Sequence, residues 1–533
     1  MPSAPRLFVD YVENNPEARR FFMGHFSDLM AFETHLQCLE RRNILREPLY
    51  SALVAQNKTF FAGEATFKHL ERLQSPTTFA VVTGQQVGLF GGPMYTLYKA
   101  LTAVRLSRWL SEQFPAYSFV PLFWLESEDH DFAEINNAGG LSAENDFIQV
   151  RYAEPDADAP RDLRPVSQRP IETEITDVIE AFRSSLPETD FSEDVFRDLR
   201  NCYTEGESLQ RAFARYLNTL FPDAGLIFID PSDPAIKQLV TPVLMQELET
   251  HPTTGEEVIK RSAELEEGYH AQIKPRAVNL FLLHKGNRYP IEPNEGGFFL
   301  KGTRRRFTRE ELLELATAEP ERFSPNVLLR PIMQDFLLPT AAYVAGPSEI
   351  SYFAQLQPAY DHFQVPMPVI FPRAGLTIIE SKVEKVFRKF ELPYSAMFLD
   401  IEAAWRLARK SDQPGTNFDV AAYNERIFGL LEELPDLAVA EHANLSGPAE
   451  STIQNIRRSL AMFEEKVFQH RQRNDEVLTR QIEKLLVYLS PEGKLQERQL
   501  NIVTYLNRYG NDVLPRLEEA CSPFPAEHRL LFL

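Results

Sequence analysis

Residues 78–100 read TFAVVTGQQVGLFGGPMYTLYKA. The apolar run 79–82 has the length of a buried strand. A loop carrying Gly84, Gly88, Gly91 and Gly92 follows, and Pro93 then stands at a first helical position for a helix running to about Glu112. The next apolar run, FVPLFWL (119–125), ends in the acidic stretch ESEDHD (126–131), where Asp131 and Glu134 have capping-box spacing for another helix. The same order of strand, loop and helix returns in TAAYVAGPSEISYFAQL (340–356) and PVIFPRAGLTIIESKVEKVF (368–387). An α/β class follows, with segments 76–140 and 335–395 forming one parallel sheet whose loops share an edge.

Around this split core the texture differs. Residues 1–75 carry helical periodicity and read as a lead-in packed on the core. Residues 141–334 read as an insertion, with one βα unit at LIFIDPSDPAIKQL (226–239) and an antiparallel ribbon in VNLFLLHKGNRYPIE and GGFFLKGTRRRFT. Segment 396–490 is expected to be a helical coiled coil: apolar residues fall at 453, 456, 460, 463, 467, 478, 482, 485 and 489, with His470 and Asn474 in the seam. The antiparallel return is expected around 418–434, and residues 491–533 read as a C-terminal helical segment. A seam of this length favours a homodimer, and pairing within one chain is the alternative.

Fifty-six Lys plus Arg against 76 Asp plus Glu leave a net charge of −20, which repels nucleic acid. Cys38, Cys202 and Cys521 are far apart and form no CxxC pair, so neither a disulfide framework nor a thiolate zinc site is expected. No run of about 18 apolar residues is present to cross a membrane. The first residues lack the apolar core of a secretion signal, so a cytoplasmic protein is expected.

Ligands in such sheets collect beyond the strand carboxyl ends. Three loops therefore matter. In the first, Gly91 and Gly92 precede a helix start whose free N–H groups suit a carboxylate or phosphate, and Gln85 and Gln86 add neutral donors and acceptors. Its spacing is neither GxGxxG nor GxxxxGK[ST], so it is no standard dinucleotide or Walker loop. The second packs Glu126, Glu128, Asp129 and Asp131 around His130, a set able to bind an ammonium group, hold a divalent cation or carry a proton, or merely to cap a helix. The third places Glu349 and Tyr352 at a helix start, and Arg373 after the last strand could clamp an anion. Each of these also has a plain structural reading as a cap, a turn or a solvated side chain.

The strings VVTGQQVGLFGGPMYTLYKALTAVRLS (81–107), PLFWLESEDHDFAEIN (121–136), VAGPSEISYFAQL (344–356) and GKLQERQLNIVTYLNRYG (493–510) together resemble the bacillithiol biosynthesis cysteine-adding enzymes. The resemblance runs from about residue 5 to the carboxyl terminus. It implies a Rossmann-like core of the class I aminoacyl-tRNA synthetase and nucleotidylyltransferase type, connecting-peptide insertions, a coiled-coil homodimer, and a reaction joining cysteine to the amino group of glucosaminyl malate. Class I synthetases use HxGH and KMSKS loops; the corresponding places here read GGPMY (91–95) and PRAGL (372–376). The activating co-substrate is thereby left open, ATP or another nucleotide, and no zinc is expected. On this reading the helix start after Gly92, with Arg373 and Lys99, takes malate carboxylates or phosphate. Glu128, Asp129 and His130 hold the cysteine amine or move a proton, with His130 the preferred base. Gln85, Gln86, Tyr95, Glu349 and Tyr352 contact the substrates, the last two orienting hydroxyls. The competing functions are a nucleotidylyltransferase for another small acid and a non-catalytic coiled-coil scaffold with an α/β head.

Overall fold

The computed structural model describes residues 4–153, 162–412 and 420–533. By contacts the chain divides into two compact units, Met1–Ile378 with Gln496–Leu531, and Ile379–Leu495 with Phe532–Leu533.

The first unit is organised by five parallel strands: β1 (Thr78–Gln86), β2 (Ser118–Glu126), β3 (Ile227–Ile229), β4 (Thr340–Ala345) and β5 (Val369–Pro372), in the order β5-β4-β1-β2-β3. Their apolar runs are buried almost throughout, as a sheet covered on both faces requires. Helix α1 (Met94–Gln113) connects β1 to β2 and packs on both. Helix α2 (Pro234–Thr250) follows β3, α3 (Leu329–Leu337) precedes β4, and α4 (Pro347–Phe353) follows it. Residues 78–86 pair in unbroken register with 118–126, so Gln86 lies beside Glu126. The chain builds outward from β1 through β2 to β3, then returns to the other side of β1 for β4 and β5. The order therefore reverses between β1 and β4, where open parallel sheets leave a ligand crevice at their carboxyl ends.

Strand β3 lies within the stretch 141–334, which thus completes the edge of the core sheet. The same stretch holds a separate five-stranded antiparallel sheet that includes Leu280–His284, Asn287–Asn294 and Phe323–Pro325. Helices before β1, among them Leu29–Glu40 and Arg46–Thr59, are fastened to the sheet by buried side chains: His35 Nε2 lies 2.8 Å from the Thr340 carbonyl, and Asn57 donates to the Phe228 carbonyl at 2.8 Å and accepts its N–H at 3.0 Å.

One local expectation is overturned. No α-helix starts at Asp131: the chain makes a 3-10 turn, Phe132–Glu134, which Asp131 does not cap with its side chain, and passes into the strand Asn137–Leu141. That strand contains Gly139 and Gly140, each about 1 kcal/mol poorer than alanine in a helix. A Cβ at Gly139 would also stand 2.0 Å from the Gln499 carbonyl oxygen, so only glycine lets these backbones approach.

In the second unit the seam is not one helix. Ser446–Asn474 and Glu476–Leu489 are separated at Asp475, whose backbone leaves the helical region (φ −126°, ψ 61°) while its carboxylate accepts the Leu478 N–H. The later seam residues Leu478, Ile482, Leu485 and Leu489 are buried inside this chain, where Glu476–Leu489 packs on Ile401–Asp412; Trp405 there donates to Thr479 at 3.2 Å. The earlier half pairs with Val420–Leu431, through Asn424 to Glu464 at 2.9 Å and Arg457 over the Phe428 ring at 5.3 Å. The expected return helix thus begins at Val420; Phe418 and the Asn474 side chain lie outside the described residues. Among the described residues, no helix is long and apolar enough to cross a membrane.

Candidate functional site

A cavity of about 650 Å³ opens at the carboxyl ends of β1, β2 and β4, within the first unit. Its inner wall begins at Gly84. A side chain there would sit 3.1 Å from both Cβ and the carbonyl oxygen of Trp124, so glycine is what allows β1 and β2 to run tightly together to the rim. Gln85 and Gln86 follow and line the space, with Tyr95 from α1 accepting a hydrogen bond from Gln85 Nε2 at 3.3 Å. Burial and the nearby Glu134 carboxylate push the Tyr95 phenol up to about 12.

Beneath them lies a network of buried charges. Lys99, on α1, turns back as the loop reading requires: its ammonium donates to the Gly84 carbonyl at 2.7 Å and to Gln85 Oε1 at 3.0 Å, and it pairs with Glu349. Glu349 in turn accepts the Gly346 N–H at 2.7 Å and the Tyr343 hydroxyl at 3.0 Å. Burial alone would raise the Glu349 carboxyl; Lys99 and the Gly346 amide hold it below the usual range. Tyr352, beside it, accepts from Arg330 of α3 at 2.8 Å. The ammonium of α1 and the carboxylate of α4 thus satisfy each other, which shapes the floor and leaves neither as a free charge.

The acidic loop is divided. Asp129 faces the cavity, accepting its neighbour His130's backbone N–H at 2.7 Å and a guanidinium hydrogen bond from Arg288 at 3.2 Å, with His130 Nδ1 also 3.2 Å away. Burial opposes its charge, but His130 and Arg288 outweigh burial and hold the carboxyl down at about 2. Glu128 does not line this cavity: it is buried on the other side, 2.5 Å from the Lys237 ammonium of α2. Its expected place beside the substrate amine is therefore corrected, because an interior lysine already neutralises it. Glu126, the last residue of β2, does line the cavity.

The expected anion site at the glycine loop is also corrected. Phe90, Gly91 and Gly92 have φ of 53°, 86° and 73°, a run that folds the loop inward. Asn501 Nδ2 donates to the Leu89, Phe90 and Gly92 carbonyls, the Gly91 N–H donates to the Tyr203 hydroxyl, and the Met94 N–H donates to the Leu500 carbonyl. Protein groups consume these polar atoms, and neither Gly91 nor Gly92 reaches the cavity. Arg373 does reach it, but its guanidinium is bound at two points to the buried Glu497. It is not free to clamp a ligand.

Cations that are free come from elsewhere. Lys274, Arg276 and Arg498 line the rim and have no carboxylate partner among the described residues; Arg276 lies 5.5 Å over the Phe281 ring and Arg498 6.0 Å over Tyr95. The wall carries seven Lys and Arg side chains against four carboxylates, in a chain whose net charge is −20. Nothing in the local sequence marks Lys274, Arg276, Arg288 or Arg330 as site residues. They reach the cavity from segments 274–330, which the topology folds over the sheet edge. Arg498 could have been found, since it sits in the last of the four strings quoted above.

The fold and its crevice define a Rossmann-like protein with a helical appendage. Family models agree: that for "Bacillithiol biosynthesis BshC, N-terminal Rossmann-like domain" matches residues 1–374, and that for "Bacillithiol biosynthesis BshC, C-terminal coiled-coil domain" matches 376–533. This chain belongs to the bacillithiol biosynthesis BshC family. A relative from Chlorobaculum tepidum, whose name reads "Putative cysteine ligase BshC", is 37% identical over 99% of this chain and 96% of its own, and one of the same name from Salinibacter ruber is 36% identical over the same shares. A solved methionyl-tRNA synthetase from Mycobacterium tuberculosis overlaps 84% of this chain and 92% of its own, at 11% identity and a TM-score of 0.22, a likeness too low to carry an argument.

Proposed function

We propose that this protein is the ligase that joins L-cysteine to the amino group of glucosaminyl malate, the last step of bacillithiol synthesis, and that the cavity at the β1/β4 reversal is where the amide forms. The observation that carries this is the cation-rich rim. A substrate bearing two malate carboxylates needs positive groups not already bound to protein acids, and Lys274, Arg276 and Arg498 are such groups in an otherwise acidic chain. A carboxylate does not condense with an amine unaided, so the cysteine carboxyl must be activated; a nucleoside triphosphate is the co-substrate class proposed. Gln85, Gln86, Tyr95 and Tyr352, with the Asp129 and His130 pair, supply the neutral and acidic contacts for amine and hydroxyl groups.

Incubating the protein with cysteine, glucosaminyl malate and ATP should give the amide, detected by mass spectrometry. Replacing Arg276 and Arg498 singly by alanine should raise KM for glucosaminyl malate about tenfold each, on the order of 1.4 kcal/mol, and make it less sensitive to salt. No amide with any nucleoside triphosphate would refute the reading.

The reading includes a homodimer through the helical unit. Leu437 and Met462 there are 64% and 62% exposed and Leu430 is 80% exposed, an apolar surface that a second copy would cover. Replacing both Leu460 and Phe463 by glutamate should halve the mass measured by light scattering. An unchanged mass would show that the seam closes within one chain.

A further inference from the structure

Four carboxylates line the cavity, and they are not equivalent. Glu349 is tied to Lys99 and the Gly346 amide, and Asp129 to His130 and Arg288. Glu134 stands exposed at the rim. Glu126 differs from all three. It ends β2 beside Gln86, lining the cavity, and its Oε2 is buried with no hydrogen-bond partner among the described residues. The nearest cationic atom, Arg330 Nε, is 3.8 Å away, beyond hydrogen-bond reach. A buried carboxylate oxygen normally finds a donor, and one left without a donor in a substrate-sized cavity is placed to receive one from a ligand.

We propose that Glu126 is the catalytic base, taking the proton from the ammonium group of the amino-sugar substrate as the amide forms. This rests on the ligase reading above. An ammonium nitrogen has no lone pair. On giving one proton to Glu126 Oε2 it gains the pair with which to attack the acyl carbon of cysteine, activated as a mixed anhydride with phosphate. The C–N bond forms, the C–O bond to phosphate breaks with its electrons leaving on the phosphate, and the second nitrogen proton departs with that group.

The surroundings suit the task. Burial raises the Glu126 carboxyl; Arg330 from α3 draws it down, Glu128 and Asp129 from the following loop raise it, Arg288 from the antiparallel sheet lowers it, and the balance stands at about 7. A base performs best when its pKa lies near the working pH. Asp129, held at about 2, is too weak a base, and His130, whose Nδ1 lies 3.2 Å from Asp129 without a hydrogen bond, is the competitor that the test below separates from Glu126.

The test is the pH dependence of kcat and of kcat/KM for the amino sugar in amide formation by the full-length enzyme, comparing Glu126→Gln, Glu126→Asp and His130→Asn. Glu126→Gln should lower kcat about 10²–10⁴-fold while KM for the amino sugar stays within about threefold. Wild-type kcat/KM for the amino sugar, which reports the free enzyme, should fall on the acid side with a midpoint near 7, which Glu126→Asp shifts and His130→Asn retains whatever its effect on rate. A kcat for Glu126→Gln within about threefold of wild type would overturn the assignment, as would an acid limb that His130→Asn abolishes and Glu126→Asp leaves in place. Should the wild type form no amide, the ligase reading falls on its own. An infrared carboxyl titration of wild type minus Glu126→Gln then still decides whether Glu126 is a free proton acceptor: a midpoint near 7 sustains this, and one in the ordinary glutamate range refutes it.

Discussion

Replacing Lys237 by methionine should destabilise the first unit by about 3–5 kcal/mol, because it strands a carboxylate in the interior. Lys237 is fully buried, and its ammonium is held by Glu128 Oε1 at 2.5 Å and by the Phe323 carbonyl at 2.7 Å. Burial already raises the Glu128 carboxyl, with Lys237 the main opposing influence and Arg288 a weaker one. Without the lysine, its folded pKa rises further above that of the unfolded chain. A group so shifted destabilises the folded state progressively as pH rises past its unfolded value, so the deficit against wild type should be smaller near pH 5 than at pH 7. The double variant Lys237→Met with Glu128→Gln removes both charges and should recover most of the loss. Urea denaturation of the three proteins at the two pH values measures all of this, and a deficit independent of pH and unrelieved by Glu128→Gln would mean that lost packing, not charge, is responsible.

The second large effect belongs to Arg373. Its guanidinium meets both Glu497 oxygens, at 2.5 and 3.1 Å, while Glu497 also accepts the Leu376 N–H at 3.2 Å. Arg373 and Glu497 are all but fully buried. Arg373→Met should therefore cost about 3–5 kcal/mol, and Arg373→Lys a smaller amount, since an ammonium cannot reproduce the two-point contact. The consequence reaches the site. Glu497 lies beside Arg498 in the short helix Gln496–Gln499, so loosening the pair frees the cation proposed to meet a malate carboxylate. Even at temperatures where Arg373→Lys stays folded, KM for glucosaminyl malate should rise. Thermal melting with steady-state kinetics checks both, and an Arg373→Lys protein with wild-type KM would separate this pair from substrate binding.

The two corrected assignments share a cause. Gly91, Gly92, Glu128 and Arg373 have the residue type and the place after a strand that suit ligand groups, and each instead finds a partner inside the protein. Those partners, Tyr203, Asn501, Lys237 and Glu497, are more than a hundred residues away in every case, and no local pattern announces them. Gln85, Gln86, Asp129 and His130 remain at the cavity because they stand on or next to the rims of β1 and β2, where strand direction alone aims the loops, and Tyr95 joins them from the first turn of α1. The heptad pattern was legible too, yet it could not show that Asp475 breaks the helix or that Ile401–Asp412 covers the later seam.

By itself the sequence determined the parallel sheet, its loop edge and the helical appendage, because apolar runs of strand length between glycine loops and helical stretches admit few other arrangements. Tertiary structure alone decided which charges are spent and which are free. Lys99 answers Glu349 and Lys237 answers Glu128, whereas Glu126 Oε2 finds no donor and Lys274, Arg276 and Arg498 find no acid among the described residues. The strength of a charged group depends on burial and on neighbours a few ångströms away. The chain order of 533 residues does not specify those neighbours until the sheet has brought residues 84, 126, 349 and 498 to one cavity.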